Sequence, residues 1–240
     1  MTEHKFPAVA KGHGDALVIK DVPPLILHHP HIDASWANLE HGLALYRQSL
    51  PAERRMLLDR YRVMDFALKV VGVGSVGTLC AVALTMAADD DPLFLQIKEA
   101  GPSVLETLVG KSTYAHHGQR VVVGQQLMQA ASDVFLGWTE GRGGRHFYVR
   151  QLRDMKIKPL VELFSPSTML DYATLCGWTL ARAHARSGDP AMMAGYMGKS
   201  DVLDQAVAAF SKAYADQAEQ DHAVFKKAIR EGRIEVQAEC

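Results

Sequence analysis

The chain has 240 residues, 48% of them apolar, and its 26 Lys and Arg against 27 Asp and Glu leave a formal net charge of −1. That length suits one large domain or two small ones with a real hydrophobic core. The even charge balance argues against a nucleic-acid partner, which calls for a basic face, and no uncharged apolar run reaches the roughly 18–20 residues of a membrane span.

Cys80, Cys176 and Cys240 are an odd set without paired spacing. They fit a reducing cytoplasm and supply neither a disulfide framework nor a zinc site. The start, MTEHKFPAVAKGHGD, lacks a signal-peptide core, so the expectation is a soluble cytoplasmic protein without a membrane partner.

In chain order, ALVIKDVPPLI (16–26) reads as a short strand stopped by Pro23 and Pro24, because proline has no N–H to give a ladder. PAERRMLLDRYRVMDFAL (51–68) reads as a helix with Pro51 at its first position and Met56, Leu57, Tyr61 and Met64 near one face. Next come a strand, a glycine turn and the strand GTLCAVALTM, then the acidic turn AADDDP. In LFLQIKEA, alternation sets Leu93, Leu95 and Ile97 on one side and Phe94, Gln96 and Lys98 on the other.

GQRVVVGQQLMQAASD (118–133) reads as a helix despite the interior cost of Gly124. The strand pattern resumes over 145–155 after the turn EGRGG. Beyond that the chain reads as helical. Ser165 can cap a helix with Pro166 at its first position, and this helix stops at RSGDP. A last helix spans about 200–230, apolar at Val202, Leu203, Ala206, Val207 and Phe210, with Gly232 as its stop. The expected class is α+β, a small sheet layer leading into an α-rich layer. The segments are 1–69 with strand and helices, 70–158 around the glycine turn, and 159–240, which is helical.

Gly72-Val73-Gly74-Ser75-Val76-Gly77 fits G-x-G-x-x-G, a weak signal shared by two devices. A dinucleotide fold uses it to join a strand to a helix, with an acidic residue about 20 positions on; Asp89 to Asp91 lie near that distance but sit in a turn. A kinase-type fold uses it to join antiparallel strands, and a lysine on a following strand reaches the phosphates. Lys98, inside an apolar strand, calls for a carboxylate or phosphate partner. An ordinary glycine hairpin with a solvated lysine explains the same residues.

The histidines His28, His29, His31, His116 and His117 read as loop side chains, and Cys176 and His184 as residues packed on helices. Asp201, Asp204, Asp216 and Asp221 read as a solvated face of the last helix.

RYRVMDFALKVVGVGSVGTLC, DDDPLFLQIKEAGPSVLE, GQRVVVGQQLMQAASDVFLGW, FYVRQLRDMK and LCGWTLARAHARSGD closely resemble a bacterial domain-of-unknown-function family, the one numbered 2252, from about Ala16 to Ile234. That family in turn resembles kinase-like phosphotransferases of the aminoglycoside and choline kinase type, with parts in permuted order. The resemblance implies a kinase-like small lobe over 70–158, with this chain as the C-terminal part of a family member. Gly72, Gly74, Ser75 and Gly77 would then form the phosphate loop and Lys98 the phosphate ligand. Glu106 would orient Lys98, while Gln151, Leu152 and Arg153 would begin an adenine-facing hinge.

ATP with magnesium is the cofactor so implied. No H-x-D-x-x-x-x-N element follows, so the chain alone is expected to bind nucleotide without turning over. Its partner would be a polypeptide that carries the catalytic loop, or a second copy of itself. The alternative from another class is a non-catalytic binding or scaffold protein.

Overall fold

The computed structural model describes residues 9–11, 17–28, 36–72, 75, 77–88, 91–152 and 159–236. The chain divides into two compact units, Met1–Ser187 and Gly188–Cys240. The class is α+β. The first unit is built on a six-stranded antiparallel sheet, and a separate two-stranded sheet pairs β1 (Val9–Lys11) with β2 (Leu17–Ile19).

The large sheet comprises β3 (Ile26–Leu27), β4 (Arg62–Lys69), β5 (Cys80–Met86), β6 (Pro92–Glu99), β7 (Gly137–Glu140) and β8 (His146–Gln151). Its order is β3-β4-β5-β6-β8-β7, so the last two strands exchange places and β8 lies against β6. Cys80 pairs with Lys98 and Val82 with Gln96; on the other side of β6, Lys98 pairs with Tyr148 and Gln96 with Arg150. Every residue of β5 is buried, as expected of a central strand covered on both faces.

Alternation gives the sheet two chemically distinct faces. On one, Ala83, Leu93, Leu95 and Val149 pack against Tyr46 and Leu50 of α1 (Trp36–Ser49) and its end, joined by Leu57 and Leu58 of α2 (Ala52–Leu58). Each fully buried leucine or valine among them contributes roughly 1.5–3 kcal/mol. Tyr46 is fully enclosed, and its hydroxyl donates to the Phe135 carbonyl at 2.6 Å. On the other face Ala67, Val82, Leu84, Met86 and Phe94 meet Ile19 and Ile26, with Leu17, Val22 and Leu152 alongside.

The N-terminal segment is tied to this second face through Asp65. Its Oδ2 accepts from the Ile19 N–H at 2.6 Å and from His28 Nε2 at 3.0 Å, while His28 Nδ1 bonds Asp21 at 2.8 Å. His28 therefore bridges two carboxylates. His29 and His31 lie outside the described residues.

The expected helix over 51–68 is corrected: α2 ends at Leu58, a turn follows, and residues 62–69 form β4. Met56, expected on the apolar face, is exposed. The cause is tertiary, because RVMDFALK finds a partner in β5 along nearly its full length, and such pairing overrides local periodicity.

A short helix, α3 (Glu106–Val109), precedes α4 (His117–Met128), which lies against β7 and β8. The approach depends on Gly118, where a Cβ would collide with the Phe147 carbonyl. The unit closes with α5 (Pro166–Ser187); Ser165 Oγ accepts the Thr168 N–H at 3.2 Å, the cap expected from the sequence. Arg186 at its far end donates to the carbonyls of Gln126 on α4 and of Gln129 just beyond it.

The second unit holds α6 (Pro190–Met197) and α7 (Val202–Arg230). Asp189 caps α6 by accepting from the N–H groups of Ala191 and Met192. Gly232, at φ +67°, ends α7; the Arg233 N–H reaches back to the Ala228 carbonyl at 2.9 Å, a left-handed glycine stop. No helix among the described residues is long and apolar enough to cross a membrane.

Candidate anion-binding face

The glycine segment joins β4 to β5, two antiparallel neighbours. The strand–turn–helix arrangement of a dinucleotide site is thereby excluded, since GTLCAVALTM forms a strand. Within the segment the Ser75 N–H bonds the Gly72 carbonyl at 2.9 Å, and the Thr78 N–H and hydroxyl both bond the Ser75 carbonyl. Gly77 has φ +80°, a conformation that favours glycine. Gly74 lies outside the described residues.

Lys98 is half-buried and sits between Cys80 and Tyr148. By alternation it shares a sheet face with Gln96, Arg150 and Tyr148, and with Lys69 at the end of β4 just before the glycine segment. Lys69 is only 7% exposed and Gln96 3%.

Arg150 donates from Nε and Nη2 to Gln96 Oε1 at 3.1 and 3.0 Å, and Gln96 Nε2 lies 3.8 Å from Cys80 Sγ. Burial pushes the Cys80 thiol up, against the opposing pull of Lys98, Lys69 and Arg150. The sulfur is thus a neutral thiol at the centre of three cations. Burial also raises the Tyr148 phenol. The result is a sheet face that turns from apolar to cationic, over two residues from Leu152, just past β8, to Arg150 and over four from Phe94 to Lys98 on β6.

The other expected site residues fall as follows. Glu106 begins α3, where its carboxylate accepts from the Ser103 N–H at 3.4 Å. Glu99 faces the opposite side of β6, accepts from the Leu79 N–H at 2.9 Å and lies 3.7 Å from Arg145. At the expected hinge, the Gln151 N–H donates to Asp133 Oδ2 at 2.6 Å and the Leu152 N–H to the Phe94 carbonyl at 2.8 Å. Both of those donors are engaged within the fold, and Arg153 lies outside the described residues. Lys69 and Arg150 are the additions to the sequence reading, which already sets Gln96 on the side of Lys98. The alternation of HFYVRQ carries the signal for Arg150, on the same side as Tyr148.

A second polar cluster surrounds the start of α4. His116 caps it, Nδ1 accepting from the Gln119 N–H at 3.1 Å, and its ring stacks on His146 with centroids 3.9 Å apart. The His117 N–H donates to His146 Nδ1 at 3.0 Å. Burial and the neighbouring His146 depress His116 below the ordinary histidine value. A cleft of about 250 Å³ opens beside it, lined by Gln48, Ser49, His116, Trp138 and Glu140 among others, and Lys98 is not part of its wall. Among the described residues no group of three side chains is placed to hold a metal ion.

The fold and this face together define an α+β protein with a cationic patch beside a glycine hairpin. The family model described as "Uncharacterized protein conserved in bacteria (DUF2252)" matches residues 2–228, and the chain belongs to that family. Neither a curated protein nor a solved structure matches it.

Proposed function

We propose that the sheet from β4 to β8 is a nucleotide-binding lobe of kinase type, related to small-molecule phosphotransferases, whose ligand is ATP with its magnesium. One relationship carries the reading: Lys98, on the strand after the glycine hairpin, shares a face with Lys69 at the root of that hairpin. The order of parts supports it too, since a glycine-bearing turn between β4 and β5, a lysine on β6 and a helix thereafter follow the kinase arrangement. The cationic end of the same face would take the phosphates. With no H-x-D-x-x-x-x-N motif after the glycine segment, the match at His31 to Asn38 lying before it, the chain by itself is read as binding without transferring phosphate.

Titration calorimetry with Mg-ATP on the wild type and on Lys98→Ala tests this. Binding that weakens by about tenfold or more in the variant is expected, as for loss of a charge-assisted hydrogen bond. Absence of heat with the wild type would sink the reading, and NADH is expected to give no fluorescence titration.

A second reading, a scaffold that self-associates or pairs with another polypeptide, is favoured by a separate observation. Leu170, Leu175, Trp178 and Leu180 of α5 are exposed, as are Val207, Phe210, Tyr214 and Phe225 of α7. Apolar surface of that kind marks an interaction face on each of the two helices. Sedimentation of the wild type against Phe210→Glu tests it: a concentration-dependent rise in mass, reduced in the variant, is expected, and a monomer at every concentration counts against it.

A further inference from the structure

We infer that the cleft between α1, β7 and the start of α4 is a binding site for a small organic cation, an amine or guanidine that sets its N–H groups on Glu140 and its carbon body along Trp138 and Leu45. The cleft and the Lys98 face are separate sites, and neither reading needs the other.

The cleft has about 250 Å³ of room. That is less than the roughly 300–1,000 Å³ of sites for drug-sized ligands, so its guest is small. The polar groups of the wall decide the class of guest, because its donors are largely spent inside the fold. The Ser49 hydroxyl donates to the Tyr46 carbonyl at 2.7 Å, and the Thr139 hydroxyl to the Gly42 carbonyl at 2.5 Å. The Trp138 backbone N–H donates to Ser49 Oγ at 2.9 Å. His116 accepts from the Gln119 N–H and bonds the Thr139 backbone, while burial and His146 keep its ring neutral near pH 7.

The two helix ends beside the cleft are closed in the same way. The His117 N–H, at the start of α4, donates to His146 Nδ1. Past the end of α1, Arg55 donates to the carbonyls of Leu50 and Gln48. An anion would meet a wall whose donors face inward.

What stays open is an acceptor. Glu140 carries the one formal charge among the lining residues, and its carboxylate has no hydrogen bond or ion pair with a described residue. A cation docked there gains a charge-assisted hydrogen bond, and the half-buried Trp138 supplies an aromatic wall that favours a cationic guest over a neutral one. An exposed carboxylate alone would hold a cation weakly. Leu45 and Trp138 add apolar surface on which the rest of the guest is buried.

The test is a titration followed in proton–nitrogen correlation spectra at the Trp138 indole resonance, assigned with Trp138→Phe because Trp36 and Trp178 also contribute signals. The probes share one ring and differ in head group: benzylamine, benzyl alcohol, benzoate and benzyltrimethylammonium. Benzylamine is expected to shift the resonance saturably, with a Kd on the order of 1 mM or tighter. Benzyl alcohol and benzoate are expected to bind at least about tenfold more weakly. Benzyltrimethylammonium, which keeps the charge and lacks N–H groups, should fall between them.

Glu140→Gln, at an exposed position, is expected to lose about tenfold for benzylamine while its Mg-ATP affinity matches wild type. Gln48→Lys, which sets a cation at the exposed rim on another element, is expected to weaken benzylamine likewise, and it decides the matter should a thermal melt show Glu140→Gln unfolded. No saturable shift with benzylamine would overturn the site. So would any of the other three probes binding as tightly as benzylamine, or folded variants that bind it within about twofold of wild type.

Discussion

Arg150 and Gln96 sit directly opposite each other on β8 and β6, joined by two hydrogen bonds that both end on the same amide oxygen. The pair locks a cation in place and leaves it positive. Replacing Gln96 by Glu keeps the geometry and supplies the missing negative charge. Gln96→Glu is expected to retain its thermal midpoint within about 5 °C and to weaken Mg-ATP binding roughly tenfold, as one added charge near phosphates does at an effective dielectric of about 20. Calorimetry beside a thermal melt checks both; unchanged affinity would show that the ligand does not sense this face.

Tyr46 ties α1 to the sheet by a buried hydroxyl that donates to the Phe135 carbonyl. Tyr46→Phe keeps the packing and strands that acceptor away from water. A loss of about 1–3 kcal/mol in urea unfolding is expected, with an unchanged m-value because the buried area hardly alters.

Two glycines of the same helix should respond in opposite directions. At Gly118 of α4 a methyl group meets the Phe147 carbonyl, whereas at Gly124 it meets nothing within 4 Å. Gly118→Ala is expected to destabilise by about 1–3 kcal/mol through forced backbone shifts. Gly124→Ala should stabilise by about 0.5–1 kcal/mol through helix propensity. Denaturation midpoints of the two variants against wild type decide it, and two shifts of the same sign would contradict the packing described for α4.

His116 gives the fold a pH dependence. Burial first, and then His146, depress its folded value below 6.5, so the unfolded chain binds the proton more readily. Its contribution is fully present above about pH 6.5 and is lost as pH falls through that value towards the lower folded one. His28 runs the other way: burial lowers its value, but the bonds to Asp65 and Asp21 outweigh that and raise it above 6.5. Its stabilisation is present below pH 6.5 and is lost as pH rises through the folded value. His116→Asn retains a capping acceptor and removes the titration. Melts from pH 5 to 8 are expected to show the variant losing less stability than wild type on the acid side, and parallel curves would refute the assignment.

Much of the sheet is legible in the sequence, because β5 and β6 carry their burial in their own residues. LFLQIKEA alternates cleanly and fixes the side of Lys98. Ser165 and Pro166, and Gly232, mark helix ends by local backbone chemistry alone. Lys69 is hidden from the same reading. A helical spacing of Met56, Leu57, Tyr61 and Met64 masks a strand that exists because β5 pairs with it. The helix α1 mixes His41, Gly42 and Arg47 with its apolar residues, and β7 has only four residues, so neither announces itself. The histidine stack at α4 is likewise illegible, since it joins residues 116 and 146 through sheet register.

The large sheet tapers at both margins, to the two residues of β3 on one side and the four of β7 on the other. The two residues of β3 cover only Leu68 and Lys69, so the outer edge of β4 from Arg62 to Ala67 has no ladder partner among the described strands. An uncovered edge of that length is where a neighbouring chain adds a strand, and assemblies that grow this way would announce themselves by an intermolecular-strand band in the amide infrared spectrum.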